Sequence, residues 1–399
     1  VIVVGAGPAG LAAAERLAIA GVSVAIHERM PNPARKFLLA GRGGLNLTHS
    51  EPLPDFMQRY GEALQRLAPA IDAFSPTDLR NWSEALGVET FVGSSGRIFP
   101  KAMKASPLLR AWLARLDGLG VVLHPRSRWV DWDVDSLIFE GPRGLARETP
   151  EAAVFALGGG SWPRLGSDGS WQAAFARRGV GLVPMRPANS GFLVGWSDVF
   201  RDRFAGHPLK AAAFSFAGRT SRGEAMVTAA GLEGGGVYAI STSLRRSLDS
   251  GAPTVLEIDL HPDLPREAVA TRLSRAGAPG RTSMANRLRR AGLSPVAAGL
   301  LREDQRGRAL PDEADDLADR IKALRLVLRD VAPIDRAISS AGGVAWDSVN
   351  PDFSLVSDPR AFVCGEMLDW EAPTGGYLLQ ACFATGRAAA EGVLKRLHA

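Results

Sequence analysis

Apolar residues along the first thirty positions switch between strand-like and helix-like spacing. Val1-Ile2-Val3-Val4 is a short unbroken apolar run, as expected of a strand buried on both faces in a parallel sheet. From Pro8 to Ala20, Leu11, Ala14, Leu17 and Ala18 recur at helical spacing, and Gly21 stands where helices commonly stop. Val22 to His27 predicts the next strand. Residues 31–50, rich in Gly, Asn and Pro, read as a long loop. Helical patterns follow near 52–69 and 76–87, then an irregular or hairpin-like stretch at Phe91–Pro100 and a helix near 105–117. Val121 to His124 and the strip from Trp129 to Phe139 read as strands. Ala152 to Leu157 predicts another buried strand, ending in Gly158-Gly159-Gly160.

The pattern changes after Pro184-Met185-Arg186-Pro187. Residues 190–260 alternate short apolar runs with Gly-rich turns, which predicts a β-rich second domain. From Pro262 to about Asp330 the pattern is helical, with no strand-like run. The last forty residues return to strand (Ala361 to Cys364), Gly-rich loop (Thr374-Gly375-Gly376) and helix (Leu378 to Leu397). No internal repeat or low-complexity segment interrupts this order.

Composition narrows the class. The chain has 399 residues, 46% hydrophobic and 22% charged, which suits two or three globular domains and excludes a disordered or disulfide-stapled protein. Cys364 and Cys382 are the only cysteines, too few for a disulfide framework or multi-cysteine metal site and consistent with a reducing cytoplasm. The most apolar stretch, residues 1–21, is broken by Glu15 and Arg16, so no membrane span is expected. Residue 1 already lies inside a strand-like run, so a few residues are expected to precede it, and no signal peptide is visible. The net charge is +5, and Arg supplies 41 of the 47 basic residues. That balance permits an acidic partner such as RNA without requiring one.

Gly5-Ala6-Gly7-Pro8-Ala9-Gly10 between the first strand and helix is a dinucleotide fingerprint, and Glu28 ends the next strand at the expected distance. Gly5 permits the tight turn, Gly7 lets a pyrophosphate approach the backbone, and Gly10 lets the helix pack on the strand. The exposed N–H groups and helix dipole favour the phosphates. Glu28 suits a ribose and disfavours a 2′-phosphate. Arg29 and Lys36 join the binding candidates. A single such unit with distant Gly-rich segments fits tightly held FAD better than exchanging NAD. Gly41-Arg42-Gly43-Gly44-Leu45-Asn46 can pass close to a flat ring, with Asn46 and Thr48 at its polar edge. The strand end Gly365-Glu366, in a segment that runs on to Asp369, places a carboxylate where it can bind ribityl hydroxyls. The helix opening near Tyr377, after Gly375-Gly376, aims its dipole at the reduced ring.

These segments resemble the YhiN-type, BaiN-like flavoproteins, NAD(P)/FAD-dependent oxidoreductases. The matching stretches lie at 1–50, 91–110, 154–170, 224–242 and 342–392, including Gly96-Arg97-Ile98-Phe99-Pro100, Gly166-Ser167-Asp168-Gly169 and Gly375-Gly376-Tyr377-Leu378-Leu379-Gln380. The resemblance implies an α/β fold: a Rossmann-like FAD-binding domain (1–185 and 342–399), an inserted β-rich substrate-side domain (186–261 and 331–341) and a helical insert within it (262–330). Three positions depart from the family pattern. Leu45 stands at the usual Cys of Gly-Arg-Cys-Asn, Leu378 replaces the Asn of Gly-Tyr-Asn, and Ala156-Leu157-Gly158-Gly159 replaces Ala-Thr-Gly-Gly. A thiol proton donor is therefore absent from that loop.

The expected function is FAD-dependent hydride transfer through flavin N5, with NAD(P)H as a transient co-substrate and Asn46 and Tyr377 as flavin-edge candidates. Alternatives are a reductase forming dihydrouridine in ribosomal RNA, an oxidase of small amines or ketones, and a non-enzymatic flavin sensor. Nine Arg within 268–310 motivate the RNA reading, but the acidic run Asp312 to Asp319 offsets them, so a solvated helical face is expected. Cys364 and Cys382 are expected to be buried and structural, and His207 and Lys210 to lie at the surface. Trp162 and Trp370 can wall a flavin or pack in the core.

Overall fold

The computed structural model describes residues 1–40, 43–277, 281–304 and 308–398. The chain divides into two compact units, Val1–Arg186 together with the chain from Ser339 onward, and Pro187–Ile338.

Five short strands form the central sheet of the first unit: Ile2–Val4, Ala25–Glu28, Val122–Pro125, Ala153–Phe155 and Ala361–Val363. All neighbours are parallel, and in chain order they lie third, second, first, fourth, fifth. Ile2, Val3 and Val4 are buried on both faces, which explains their unbroken apolar run. The strand order reverses between the first and fourth strands. In open α/β sheets the crevice beyond that switch point receives the ligand.

The helices Pro8–Ile19 and Tyr377–Leu397 pack on each other through small residues. A β-carbon at Gly386 would strike the Ala9 carbonyl, so only glycine permits this approach. A three-stranded antiparallel meander, Arg128–Trp132, Leu137–Gly141 and Gly144–Glu148, links the third strand to the fourth. Trp129 and Trp132 pack there against Phe155 and Phe175. The Phe91–Pro100 stretch is a hairpin, Thr90–Val92 with Arg97–Pro100.

One local expectation fails in this unit, and one strand was not foreseen. Residues 31–50 are not one long loop, because Arg35–Ala40 forms a helix and Thr48–His49 pairs with Arg97–Ile98. Gly144–Glu148, largely exposed, is a strand with no apolar periodicity to announce it.

The second unit is built on a seven-stranded antiparallel sheet around its own core. Its helices, including Arg266–Arg275, Pro295–Asp304 and Ala314–Lys322, bury Leu273, Leu300 and Ile321 in the same core as Leu256 and Ile258. The helical stretch is therefore no separate body. It also contains a strand that its pattern was not expected to hold. Leu324–Leu328 alternates buried and exposed residues and pairs with Thr254–Asp259. Ser339–Ala341, expected with the inserted domain, belong to a strand of the first unit. His207 and Lys210 are exposed. Arg287 departs from the expected solvated face: it is 2% exposed, and its guanidinium donates to the Asp312 carbonyl at 2.9 Å. No described helix is long and apolar enough to cross a membrane.

Candidate functional site

A cavity of about 270 Å³ opens beyond the carboxyl ends of the parallel strands. It is bounded by the turn after the first strand (Gly5, Gly7), the end of the second (Glu28, Arg29), the end of the fourth (Gly158) and the end of the fifth (Gly365, Glu366). Four stretches from opposite ends of the chain thus meet at the switch point because parallel strands all end on the same edge.

The opening turn is shaped by sterics. Gly5 has φ +101°, in the left-handed region, and a β-carbon there would sit 2.5 Å from the Ala156 carbonyl oxygen. A β-carbon at Gly10 would strike the Gly5 carbonyl oxygen, so the helix can start this close only with glycine. Gly7 differs: no atom lies within 4 Å of where its β-carbon would be. That free space lies before the first helical N–H groups, where a phosphate can approach the backbone. Trp129 lines the cavity, and its buried indole N–H has no partner among the described residues. These features fit a bound dinucleotide.

Glu28 is held by two backbone donors, Ala6 N–H at 2.9 Å and Met30 N–H at 2.8 Å. Burial pushes its carboxyl up, against the opposing effect of the Met30 and Ala6 N–H groups. Lys36 donates to Glu366 at 2.8 Å and to Ser161 Oγ at 2.6 Å, and Glu366 also accepts from Ser340 N–H. Lys36→Ala is expected to cost the fold about 2 kcal/mol by leaving Glu366 unpaired. The shift in urea midpoint against Lys36→Ala/Glu366→Gln measures it, and an unshifted single variant would show that the pair contributes nothing.

Arg29 pairs with Asp168 at 2.6 Å, closing one side of the cavity. Burial opposes the charge on Asp168, but the hydrogen bonds from Arg29 and Ser170 outweigh it and hold the carboxyl below the usual aspartate value of 3.8. A lowered folded-state pKa stabilises above the unfolded value, and that stability is lost as pH falls through the folded one. Arg29→Ala should therefore flatten the decline of unfolding free energy between about pH 4 and pH 2, read from urea titrations at stepped pH.

Of the residues expected to bind the cofactor, Gly5, Gly7, Pro8, Ala9, Glu28, Arg29, Lys36, Gly158, Gly365 and Glu366 line this cavity. Ala6, Gly10 and Gly159 support it from behind. Gly159 accepts from Ser167, and a β-carbon there would strike Ser340. Gly43, Gly44, Asn46, Asp369, Gly375, Gly376 and Tyr377 do not line it. Asn46 Oδ1 is buried with no partner among the described residues. The Tyr377 hydroxyl donates to Glu51 at 2.6 Å, and its ring stacks on His49. Gly376 has φ +94°, and a β-carbon there would meet Thr48 backbone at 2.6 Å. Asp369 gives its N–H to the Val344 carbonyl. Gly41 and Arg42 lie outside the described residues.

The lining also includes residues that were not singled out as binding candidates. His27, Ser127 and Trp129 come from the second strand and the start of the meander, and Trp171 donates to the Gly158 carbonyl at 3.0 Å. Only the edge position of Val122–Pro125 beside the second strand would have pointed to the meander. Cys364 and Cys382 are buried free thiols, and burial pushes Cys382 up to about 12. Trp370 is a core residue whose indole N–H holds the Gly365 carbonyl at 2.9 Å.

Comparison with known proteins agrees with this architecture. A 3-dehydro-bile acid delta(4,6)-reductase of Clostridium scindens is 28% identical over 408 residues, covering 98% of each chain. Among solved structures, the 3-ketosteroid delta1-dehydrogenase of Sterolibacterium denitrificans superposes with a TM-score of 0.53 at 12% identity, covering 99% of both chains. Mycobacterium smegmatis Sdh1, in complex with UQ1, superposes with a TM-score of 0.51 at 15% identity, covering 100% of this chain and 68% of its own. At such identities these two show a shared fold. The family model described as the HI0933-like protein Rossmann domain matches residues 1–392. With the fingerprint turn, the strand order and a match along nearly its whole length, this chain belongs to the HI0933-like Rossmann family.

Proposed function

We propose that the protein is an FAD-dependent oxidoreductase that reduces a carbon–carbon double bond conjugated to a ketone, with NADH or NADPH as the reductant. The observation that carries the flavin reading is the convergence of four strand ends on one cavity around Gly7, Glu28, Lys36 and Glu366. Gly7 and the N-terminus of the helix Pro8–Ile19 would receive the pyrophosphate, Glu28 the adenosine ribose, and Lys36 with Glu366 the ribityl hydroxyls. When bound, FAD supplies hydride exchange at N5. The protein's part is to position it. The substrate class rests on the bile acid reductase, a relative along nearly the full length of both chains. A small-molecule substrate is favoured over RNA because Arg287, central to the basic stretch, is buried and spent on the Asp312 carbonyl.

The test is anaerobic flavin reduction with NADH and with NADPH, followed by reoxidation against steroidal enones, oxygen and uridine-containing RNA. Bleaching near 450 nm and faster reoxidation by enones are expected. Protein that stays colourless after incubation with FAD would overturn the reading. Reoxidation by RNA alone would replace the substrate class.

A further inference from the structure

The second unit contains a larger cavity, of about 880 Å³, that the flavin reading does not use. Its size falls in the range of roughly 300–1,000 Å³ that small-molecule sites occupy. Trp196, Phe200 and Phe204 form an aromatic wall, with Leu293 and Leu326 among the other apolar lining residues. Five arginines complete the lining: Arg203, Arg289, Arg302, Arg325 and Arg329.

Their charges are not neutralised locally. Among the described residues, Arg203, Arg289, Arg325 and Arg329 form no ion pair, and Arg302 donates only to the Ala298 carbonyl at 3.3 Å. The lining also holds two acids, Glu303 and Asp304, so its five arginines remain in excess. Glu303 accepts from the Ser197 hydroxyl at 2.7 Å, and Asp304 lies 3.5 Å from Arg320. The backbone makes room for one of these cations: a β-carbon at Gly195 would collide with the Arg329 guanidinium. Arg325 lies on the edge strand Leu324–Leu328, where it and Val327 face outward, and Arg329 follows that strand directly. An apolar wall beside an excess of guanidinium forks suits a ligand with an apolar body and an oxyanion head, since these forks bind carboxylate and phosphate bidentately.

We propose that this cavity binds a small amphipathic anion, one hydrophobic molecule bearing a carboxylate, sulfonate or phosphate, per chain. A nucleic acid strand fits less well. It needs a continuous basic track, and Asp315, Asp316 and Asp319 on the helix Ala314–Lys322 supply the opposite charge in the same unit.

The experiment uses the full chain with its flavin. Laurate and 8-anilinonaphthalene-1-sulfonate are the anionic probes, dodecanol and N-phenyl-1-naphthylamine their neutral counterparts, and a uridine oligonucleotide the competing polyanion. Calorimetry and fluorescence should give one anionic probe per chain, mutual competition between the two anions, and at least about tenfold weaker binding of the neutral probes. Arg325→Ala/Arg329→Ala should weaken the anions about tenfold or more and leave the neutral probes unchanged. Arg203→Ala/Arg289→Ala provides a second variant from other elements. Flavin content and thermal midpoint report folding separately, so a failed flavin reading and a failed anion site give different results. Equal affinity for anionic and neutral probes, or anion binding unchanged in both variants, overturns the proposal. So does an oligonucleotide that binds more tightly than laurate and loses affinity in the same variants.

Discussion

Gly7→Ala is expected to fold like the parent and to purify without FAD. The backbone at Gly7 has φ −81° and ψ 178°, a conformation open to any residue. No atom lies within 4 Å of the new methyl, so the native packing is undisturbed. The unfolded chain loses some freedom, so the apo-protein should be as stable as the parent or more so, by up to about 1 kcal/mol. The same methyl would stand before the N–H groups of the turn and hold a pyrophosphate away from them. Losing those charge-assisted hydrogen bonds should cost about 3 kcal/mol or more, on the order of 100-fold in FAD affinity.

Gly10→Ala is the contrasting case. Its β-carbon would collide with the Gly5 carbonyl oxygen and lie 3.2 Å from the Ala156 side chain, so the helix must shift and the fold itself weakens. Flavin-to-protein absorbance ratio, FAD titration of the apo-protein and thermal unfolding separate the two effects. Stoichiometric FAD at parental affinity in Gly7→Ala would remove the pyrophosphate from this turn.

What the sequence made legible follows the range of the forces involved. The opening strand, turn and helix, residues 2–19, could be read because apolar spacing and the fingerprint glycines act within a few residues. The long helix from Tyr377 was legible for the same reason. Lateral strand order was not encoded locally, so the meander's contribution through Trp129 was missed. The Arg29–Asp168 pair joins residues 139 apart, and no spacing rule reaches that far. Leu324–Leu328 was missed because it directly follows the amphipathic helix Ala314–Lys322 and its arginine suited a helical face equally well. Arg287 was misjudged because a charged residue on a helix is solvated by default. Here its neighbour Leu288 enters the core and the guanidinium finds a carbonyl. Asn46 and Tyr377 were grouped by composition as ring-edge residues. The fold gives Tyr377 to Glu51 and leaves Asn46 Oδ1 buried with no partner among the described residues.

Glu15→Ala is expected to produce the largest loss of stability in the first unit. This residue interrupts the apolar opening of the chain, yet it is 1% exposed. Its carboxylate accepts the indole N–H of Trp82 at 2.9 Å and of Trp112 at 2.7 Å, and Arg115 Nε lies 3.1 Å away. Three helices, Pro8–Ile19, Pro76–Ala85 and Ala105–Gly118, are thus tied through one side chain. Both indoles also pack on Phe383 of the C-terminal helix, with ring centroids at 4.9 and 5.0 Å. Truncation would leave two buried indole donors without an acceptor and open a void between the helices, while the Arg115 guanidinium, 36% exposed, turns to water. Hydrogen bonds to a charged group contribute about 1.5–3 kcal/mol each, and unpairing a buried charge network costs about 3–5 kcal/mol. Glu15→Gln keeps one acceptor oxygen but turns an NH₂ toward the remaining donors, so it should lose roughly half as much. Urea unfolding of the apo-proteins, followed by tryptophan fluorescence, orders them as parent, Gln, Ala if the carboxylate organises the three helices. If Gln matches Ala, the loss is one of packed volume, and the two indole hydrogen bonds contribute little to holding the helices together.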